Sequence, residues 1–249
     1  RGLGDVYKRQ VLIQMESKMI PKKIHYCWFG RGEKSKLTER CIKSWKKYCP
    51  DYEIIEWNEE NFNVNQSPYT EMCYKEKKYA FLTDYLRLKI IQEYGGIYFD
   101  TDVEVIRSFD DLLDAGAFFG FETPKYVNTG EGFGAEANHP IVAQMLKEYD
   151  VLLDGKHGMK GCPILNTEAL RKVGLEQNGT KQQIGSAVIY PMDYFNPYDD
   201  PVGILTVTEN TYSIHWYGKS WLDKKTIIRS KLMKPIHRIF GKGFFHRNE

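Results

Sequence analysis

Two acidic constellations in this chain are spaced so that they could act on a polyanionic ligand: Asp100-Thr101-Asp102, which ends the apolar run Ile97-Tyr98-Phe99, and Asp84 with Arg87 just upstream. In an extended segment residues two apart point to the same side, so Asp100 and Asp102 can converge on one ion. Two carboxylates, with phosphate oxygens and water, make the oxygen-rich shell that Mg²⁺ or Mn²⁺ takes. Such an ion absorbs the charge that develops as a diphosphate leaves. Asp-x-Asp alone is commonplace and equally describes a strand end with solvated acids, so its setting has to carry the reading. Asp84 and Arg87 lie three apart on a helical pattern and share a face. A carboxylate and a guanidinium so placed can grip vicinal hydroxyls, or form an ordinary surface ion pair of little weight. Trp28, ahead of Gly30, could stack on a nucleotide base or pack in the core.

The elements that must position these residues alternate short apolar runs with helical patterns, which predicts an α/β domain with helices on a mostly parallel sheet. Residues 23–29 read as a first strand, 37–48 as an amphipathic helix and 52–57 as a second strand. Residues 80–94 place Leu82, Leu86, Ile90 and Tyr94 on one helical face, and Gly95-Gly96 supplies the stop. A strand over 97–105 follows, with the Asp pair where it should emerge from the core. Ligands bind at the carboxyl ends of strands in such sheets.

The segments Ile24-His25-Tyr26-Cys27-Trp28-Phe29-Gly30, Asp84-Tyr85-Leu86-Arg87 and Gly95-Gly96-Ile97-Tyr98-Phe99-Asp100-Thr101-Asp102 resemble glycosyltransferase family 32, and more distantly the glucosyltransferase domains of large clostridial toxins. The resemblance covers roughly residues 20 to 222. It implies a GT-A fold, a single Rossmann-like nucleotide-sugar domain, a divalent metal (Mn²⁺ or Mg²⁺) and transfer with retention of anomeric configuration. By the same resemblance Trp28 would stack on the donor base, Asp84 and Arg87 would bind the donor sugar, Asp100 would contact sugar or ribose, and Asp102 would ligate the metal. Gly161-Cys162-Pro163 is similar to the family's Gly-Pro turn ahead of a helix, with a Cys interposed. Ser213-Ile214-His215-Trp216-Tyr217-Gly218-Lys219-Ser220-Trp221 resembles the His-containing closing motif of retaining GT-A enzymes. There His215 could complete the metal shell, and Lys219 and Trp221 could hold the leaving diphosphate. The expected partners are a UDP- or GDP-sugar and a glycan or lipid-linked acceptor, with no nucleic acid. Two other readings stand beside this one. Asp100 and Asp102 also fit the first motif of haloacid-dehalogenase-like phosphatases, with Asp199-Asp200 as the later acidic pair, and the aromatic content of 14% is compatible with a non-catalytic sugar-binding module.

Composition narrows the class further. At 249 residues with 42% hydrophobic content the chain fits one globular domain. Five cysteines without paired CxxC spacing suggest neither a disulfide framework nor a zinc site, and fit a reducing cytoplasm. The opening RGLGDVYKRQ carries no pattern that continues into the domain, so residues 1–14 are read as a non-native or disordered extension, 15–222 as the catalytic domain and 223–249 as a tail. Residues 224–249 carry eight Lys or Arg and one Glu, +7, against −5 for the rest of the chain. Apolar residues recur among those cations at helical intervals, broken by Pro235 and Gly241 into what should be short pieces. The tail could lie in an anionic leaflet at the inner membrane face, or pack on the domain with its charged side solvated.

Overall fold

Apolar runs and helical segments alternate from Lys23 to Tyr98, and in the computed structural model, which describes residues 19–219 and 224–241, they build the first half of a sheet. β1 (Lys23–Cys27) is buried from Ile24 onward. Ser35 caps α1 (Lys36–Tyr48) by accepting the Thr38 amide, and the chain returns through β2 (Glu53–Trp57), parallel to β1. α2 (Pro68–Lys75) starts at a Ser67–Thr70 capping box, and α3 (Tyr79–Tyr94) ends at Gly95. β3 (Gly96–Tyr98) lies parallel to β1 on its other side.

The second half adds β4 (Val103–Val105), β5 (Ala117–Thr123), β6 (Tyr126–Asn128), β7 (Phe133–Ala135), α4 (Pro140–Lys147), α5 (Cys162–Lys172), β8 (Gln182–Ile184) and β9 (Ala187–Tyr190). After these come α6 (Met192–Phe195), β10 (Tyr198–Asp199), β11 (Ile204–Leu205), β12 (Ser213–His215) and α7 (Lys224–Phe240). The main sheet runs β2-β1-β3-β7-β5-β9-β8, with β6 on β5. β2, β1, β3, β5 and β9 share one direction, as an α/β domain with a mostly parallel sheet requires. β7 is inverted at the centre of the sheet, antiparallel to both β3 and β5, and β6 and β8 run against the common direction at its margin. One core, with Leu82, Leu86, Ile90 and Met145, lies on the α3 side. The other, on the α1 side, is aromatic, with Trp45, Phe99, Phe109, Phe118 and Phe195.

Two differences from the expected elements bear on the site. Residues 97–105 do not form one strand: a turn closed by the Val103 amide on the Asp100 carbonyl (3.1 Å) separates β3 from β4. The alternation that would have put Asp100 and Asp102 on one strand face therefore does not apply. β4 instead leaves the main sheet and pairs antiparallel with β12, with Val103 opposite His215, and this register carries His215 to the turn. The second difference is α3. Leu82, Leu86 and Ile90 are buried as expected, but so are Asp84, Tyr85, Arg87, Leu88 and Ile91, while Tyr94 is exposed. The helix is enclosed rather than half-solvated, because α2, α4 and α5 pack on it as well as β1 and β3.

Gly95 (φ 63) and Gly96 (φ 106) make the abrupt helix-to-strand passage that aims the turn. A Cβ on Gly96 would stand 2.9 Å from the Lys23 carbonyl and 3.0 Å from His25 Nε2. That imidazole bonds the Gly95 carbonyl at 3.0 Å and accepts Trp57 Nε1–H on Nδ1 at 3.0 Å.

Contrary to the expected fragmentation, α7 continues through Pro235 up to Gly241 (φ 82). Contacts on both sides of the proline offset the lost hydrogen bond: Ser230 and Lys234 before it, His237 and Arg238 after it, all on or beside the β10–β11 hairpin. Residues 1–14 lie outside the described residues.

Candidate active site

Asp100, Asp102 and His215 each offer one ligand atom, and the three atoms lie within 4.8 Å of one another. Ligands on opposite sides of a Mg²⁺ or Mn²⁺ ion at about 2.1 Å stand about 4.2 Å apart, so this set fits one such ion with small side-chain adjustment. Two carboxylates and an imidazole also suit these metals chemically. Asp102 is fixed from three directions: Oδ2 accepts the Gly218 amide at 2.6 Å, Oδ1 faces His215 Nε2 at 3.4 Å, and its carbonyl accepts the Trp216 amide at 3.0 Å. Burial alone would push His215 down, but the Asp102 carboxylate outweighs it and holds the imidazole up at about 9. Burial would likewise raise Asp102, and His215 brings it below the usual carboxylate range instead.

Arg87 is the hub behind this cluster. It is 2% exposed, and its Nη2 bridges Asp84 Oδ1 (2.9 Å) and Asp100 Oδ1 (3.0 Å) while Nε donates to the Thr83 carbonyl (3.1 Å). The surface ion pair that the spacing also allowed is thereby excluded, since both Asp84 and Arg87 are buried. The guanidinium lies over the Tyr98 ring, and Tyr98 Oη donates to the same Asp100 oxygen. Burial still raises Asp100 to about 6 despite Arg87. Asp84 uses its second oxygen to accept the Cys162 amide at 3.2 Å, which ties the first turn of α5 to α3.

Sequence reasoning missed the opposite wall. Gly130 donates its amide to Asn128 Oδ1 (2.7 Å), and its carbonyl accepts the Asp100 amide (3.1 Å). A Cβ there would overlap Asp100 Oδ2 and stand 2.7 Å from Arg87 Nη1, so only glycine lets Asp100 sit where it does. Asn128 donates to Glu122 Oε1 (3.0 Å) and accepts from Cys162 Sγ (3.2 Å), extending the network from Asp84 to the end of β5. Tyr217 Oη, which receives Asn196 Nδ2–H at 2.7 Å, also reaches Glu122 (3.3 Å). Glu131 is fully buried with neither oxygen hydrogen-bonded, and burial drives it well above the carboxylate range. None of these residues stands in a recurring short pattern, and the tertiary fold alone brings them together.

Trp28 lies just beyond β1, half-buried, its Nε1 donating to the Gly32 carbonyl (2.8 Å) and Lys34 Nζ 5.6 Å from the ring centre. Lys219 stands outside the Asp100–Asp102–His215 cluster, with Nζ held by Asp200 Oδ2 (2.6 Å) and Ser230 (2.6 Å). Trp216 is packed, with Nε1 on Glu104 (2.7 Å) and Arg40 over its ring. Trp221 lies outside the described residues.

Residues 35–119, which contain Asp84, Arg87, Asp100 and Asp102, match the family described as the glycosyltransferase sugar-binding region containing the DXD motif. The matched segment carries the D-x-D pattern at Asp100 and Asp102. The chain is similar to inositol phosphoceramide mannosyltransferase 3 of Schizosaccharomyces pombe, 29% identical over 153 residues, 58% of this chain and 41% of that protein. It is also similar to mannosyl phosphorylinositol ceramide synthase SUR1 of Saccharomyces cerevisiae, 30% identical over 140 residues, 52% and 34% of the two chains. It spans less than half the length of these relatives. Among solved structures, PaToxG glycosyltransferase superposes with a TM-score of 0.52 at 20% identity, over 68% of this chain and 76% of that one, and the shared fold is GT-A. The phosphatase reading is set aside by the family match, and Asp200, half of its acidic pair, is occupied by Lys219 and Lys234.

Proposed function

We propose that this glycosyltransferase moves a hexose from a UDP- or GDP-sugar to a glycan or lipid-linked glycan, with retention and with dependence on Mn²⁺ or Mg²⁺. The observation that carries the reading is the convergence of Asp100, Asp102 and His215 on one point, backed by the buried Asp84–Arg87–Asp100 bridge. Asp102 and His215 would hold the ion, with Asp100 beside them. When bound, the ion stabilises negative charge on the departing diphosphate. Arg87 keeps Asp100 aimed, and together with Asp84 forms the floor on which the donor sugar rests. Glu122, half-buried with only neutral donors on Oε1, adds an acceptor for sugar hydroxyls. Trp28 is assigned to the donor base, and Lys219 with Trp221 to the leaving diphosphate, a role that requires Lys219 to exchange Asp200 for phosphate. With retention, the acceptor hydroxyl attacks from the face the diphosphate leaves, and the leaving phosphate takes its proton, so no protein base is needed.

The reading places the enzyme in the cytoplasm at the inner membrane face, with five buried, unpaired cysteines in support of a reducing compartment. A panel of UDP- and GDP-sugars should show hydrolysis or transfer with Mn²⁺ and none in excess chelator. Asp102→Asn should lower turnover by about 100-fold or more and weaken Mn²⁺ binding measured by titration calorimetry. Undiminished turnover in chelator, or unchanged Mn²⁺ binding by Asp102→Asn, rejects the metal assignment.

A further inference from the structure

The described part of the cationic tail docks on the domain the opposite way round from the expected packed form. On α7 it is the polar side that faces inward: Ser230 meets Lys219, Lys234 bonds Tyr198 Oη (2.7 Å) and Asp200 Oδ1 (3.0 Å), His237 reaches the Pro201 carbonyl (3.0 Å), and Arg238 donates to the carbonyls of Val202 (2.6 Å) and Gly203 (2.8 Å). These residues recur at helical intervals and so share one side. Ile228, Leu232 and Ile239 fall on the reverse side, and they are 58%, 67% and 74% exposed. Phe240 extends the outward surface at the helix end, and Ile204 and Leu205 on the hairpin to which α7 is tied, with Val207 just beyond it, expose further apolar surface.

An outward apolar stripe of this kind needs a cover, and its flanks indicate which. By helical position, Lys231 borders the stripe on one side and Arg229 on the other, both exposed. No Asp or Glu occurs between Lys224 and Gly241, and the sequence continues past Gly241 with Lys242, Phe244, Phe245 and Arg247. Two copies meeting through this surface would oppose like charges, whereas an anionic surface with an apolar interior complements both features. Long basic side chains beside an apolar stripe reach back to headgroups while their stems share the burial.

We infer that α7, docked on the β10–β11 hairpin, is a membrane-seating helix whose Ile228–Leu232–Ile239 side enters an anionic leaflet while Arg229 and Lys231 engage the headgroups. The inference deepens the lipid-linked acceptor reading, because the same docked helix places the domain against the surface where such an acceptor sits. It differs from a free cationic tail in requiring the apolar side of an already docked helix.

The test is co-sedimentation of the full chain with vesicles of phosphatidylglycerol and phosphatidylcholine, and of phosphatidylcholine alone, at low and high salt. Wild type should bind the anionic vesicles and lose part of that binding, not all of it, at high salt. Leu232→Asp with Ile239→Asp should weaken partitioning about 100-fold, since each of the two lost apolar contacts is worth roughly a factor of ten. Arg229→Gln with Lys231→Gln should weaken binding at low salt and change little at high salt. Both pairs are exposed, so nucleotide-sugar turnover in vesicle-free solution should stay at the wild-type level. Absence of wild-type binding, or wild-type binding by the Leu232→Asp/Ile239→Asp variant, overturns the inference. So does a wild-type dimer in sedimentation velocity that this variant converts to monomer, or loss of its turnover in solution. Failure of the donor chemistry would show as absent turnover with vesicle binding intact, so the two readings fail separately.

Discussion

Replacing Arg87 by lysine keeps the charge of the hub and removes its geometry. The guanidinium spans Asp84 Oδ1 and Asp100 Oδ1 at 2.9 and 3.0 Å and reaches the Thr83 carbonyl at 3.1 Å. An ammonium is a point donor on a differently shaped stem and cannot serve all three from one position. If this were a surface pair, the change would cost at most about 1 kcal/mol. Removing one partner from a buried pair costs about 3–5 kcal/mol, and lysine retains part of the attraction, so a loss of about 2–4 kcal/mol is expected. For a chain of this length each kcal/mol moves Tm by about 2–4 °C, which gives a fall of about 5–15 °C in a thermal melt. Turnover of the nucleotide sugar should fall about 100-fold or more, because Asp100 loses its aim even when the chain stays folded. The double variant Arg87→Met/Asp84→Asn removes one of the two stranded carboxylates along with the cation, and should regain part of the stability lost in Arg87→Met without regaining turnover. Wild-type melting and wild-type kinetics in Arg87→Lys would refute the hub.

Gly130→Ala should displace the Asp100 carboxylate, since the new Cβ overlaps its Oδ2. Turnover and Mn²⁺ affinity should fall by about tenfold or more, while overpacking costs only about 1–3 kcal/mol in denaturant unfolding; unchanged Mn²⁺ affinity would show that the wall does not set the carboxylate. Burial holds His25 down at about 4 against an ordinary value of 6.5, with the Gly95 carbonyl opposing it. The unfolded chain therefore binds the extra proton between these values, so stability is full above about pH 6.5 and falls by up to about 3 kcal/mol as pH drops to about 4. A pH series of urea melts should show that slope, and His25→Gln should flatten it.

The opening β-α-β, the existence of the α3 helix and the Gly-Gly stop were legible because each has a local cause: apolar period, capping residue or positive φ. The central inversion was not. β7 is the three residues Phe133, Gly134 and Ala135, buried throughout, and a run so short carries no alternation from which direction could be read. The burial of Asp84 and Arg87 was equally hidden, because helical spacing states that two residues share a face and not whether other helices cover that face. Only the packing of α2, α4 and α5 turns an ordinary i, i+3 pair into a bridge to Asp100.

The Asp100–Asp102 motif pointed to the place where His215 also converges, through an argument the structure does not support. Two carboxylates on one strand face would have met an ion as rigid neighbours of a sheet. In the turn that replaces the strand, each is held by a different part of the chain: Asp100 by Arg87, Tyr98 and the Gly130 carbonyl, Asp102 by His215 and the Gly218 amide. Their separation is therefore set by the closing motif at 213–218 and the loop at 128–130 rather than by strand pitch. It follows that substitutions in those two segments, remote in sequence from the Asp pair, should alter metal affinity as strongly as changes beside it. That consequence separates a ligand set assembled by tertiary contacts from one built on a single strand.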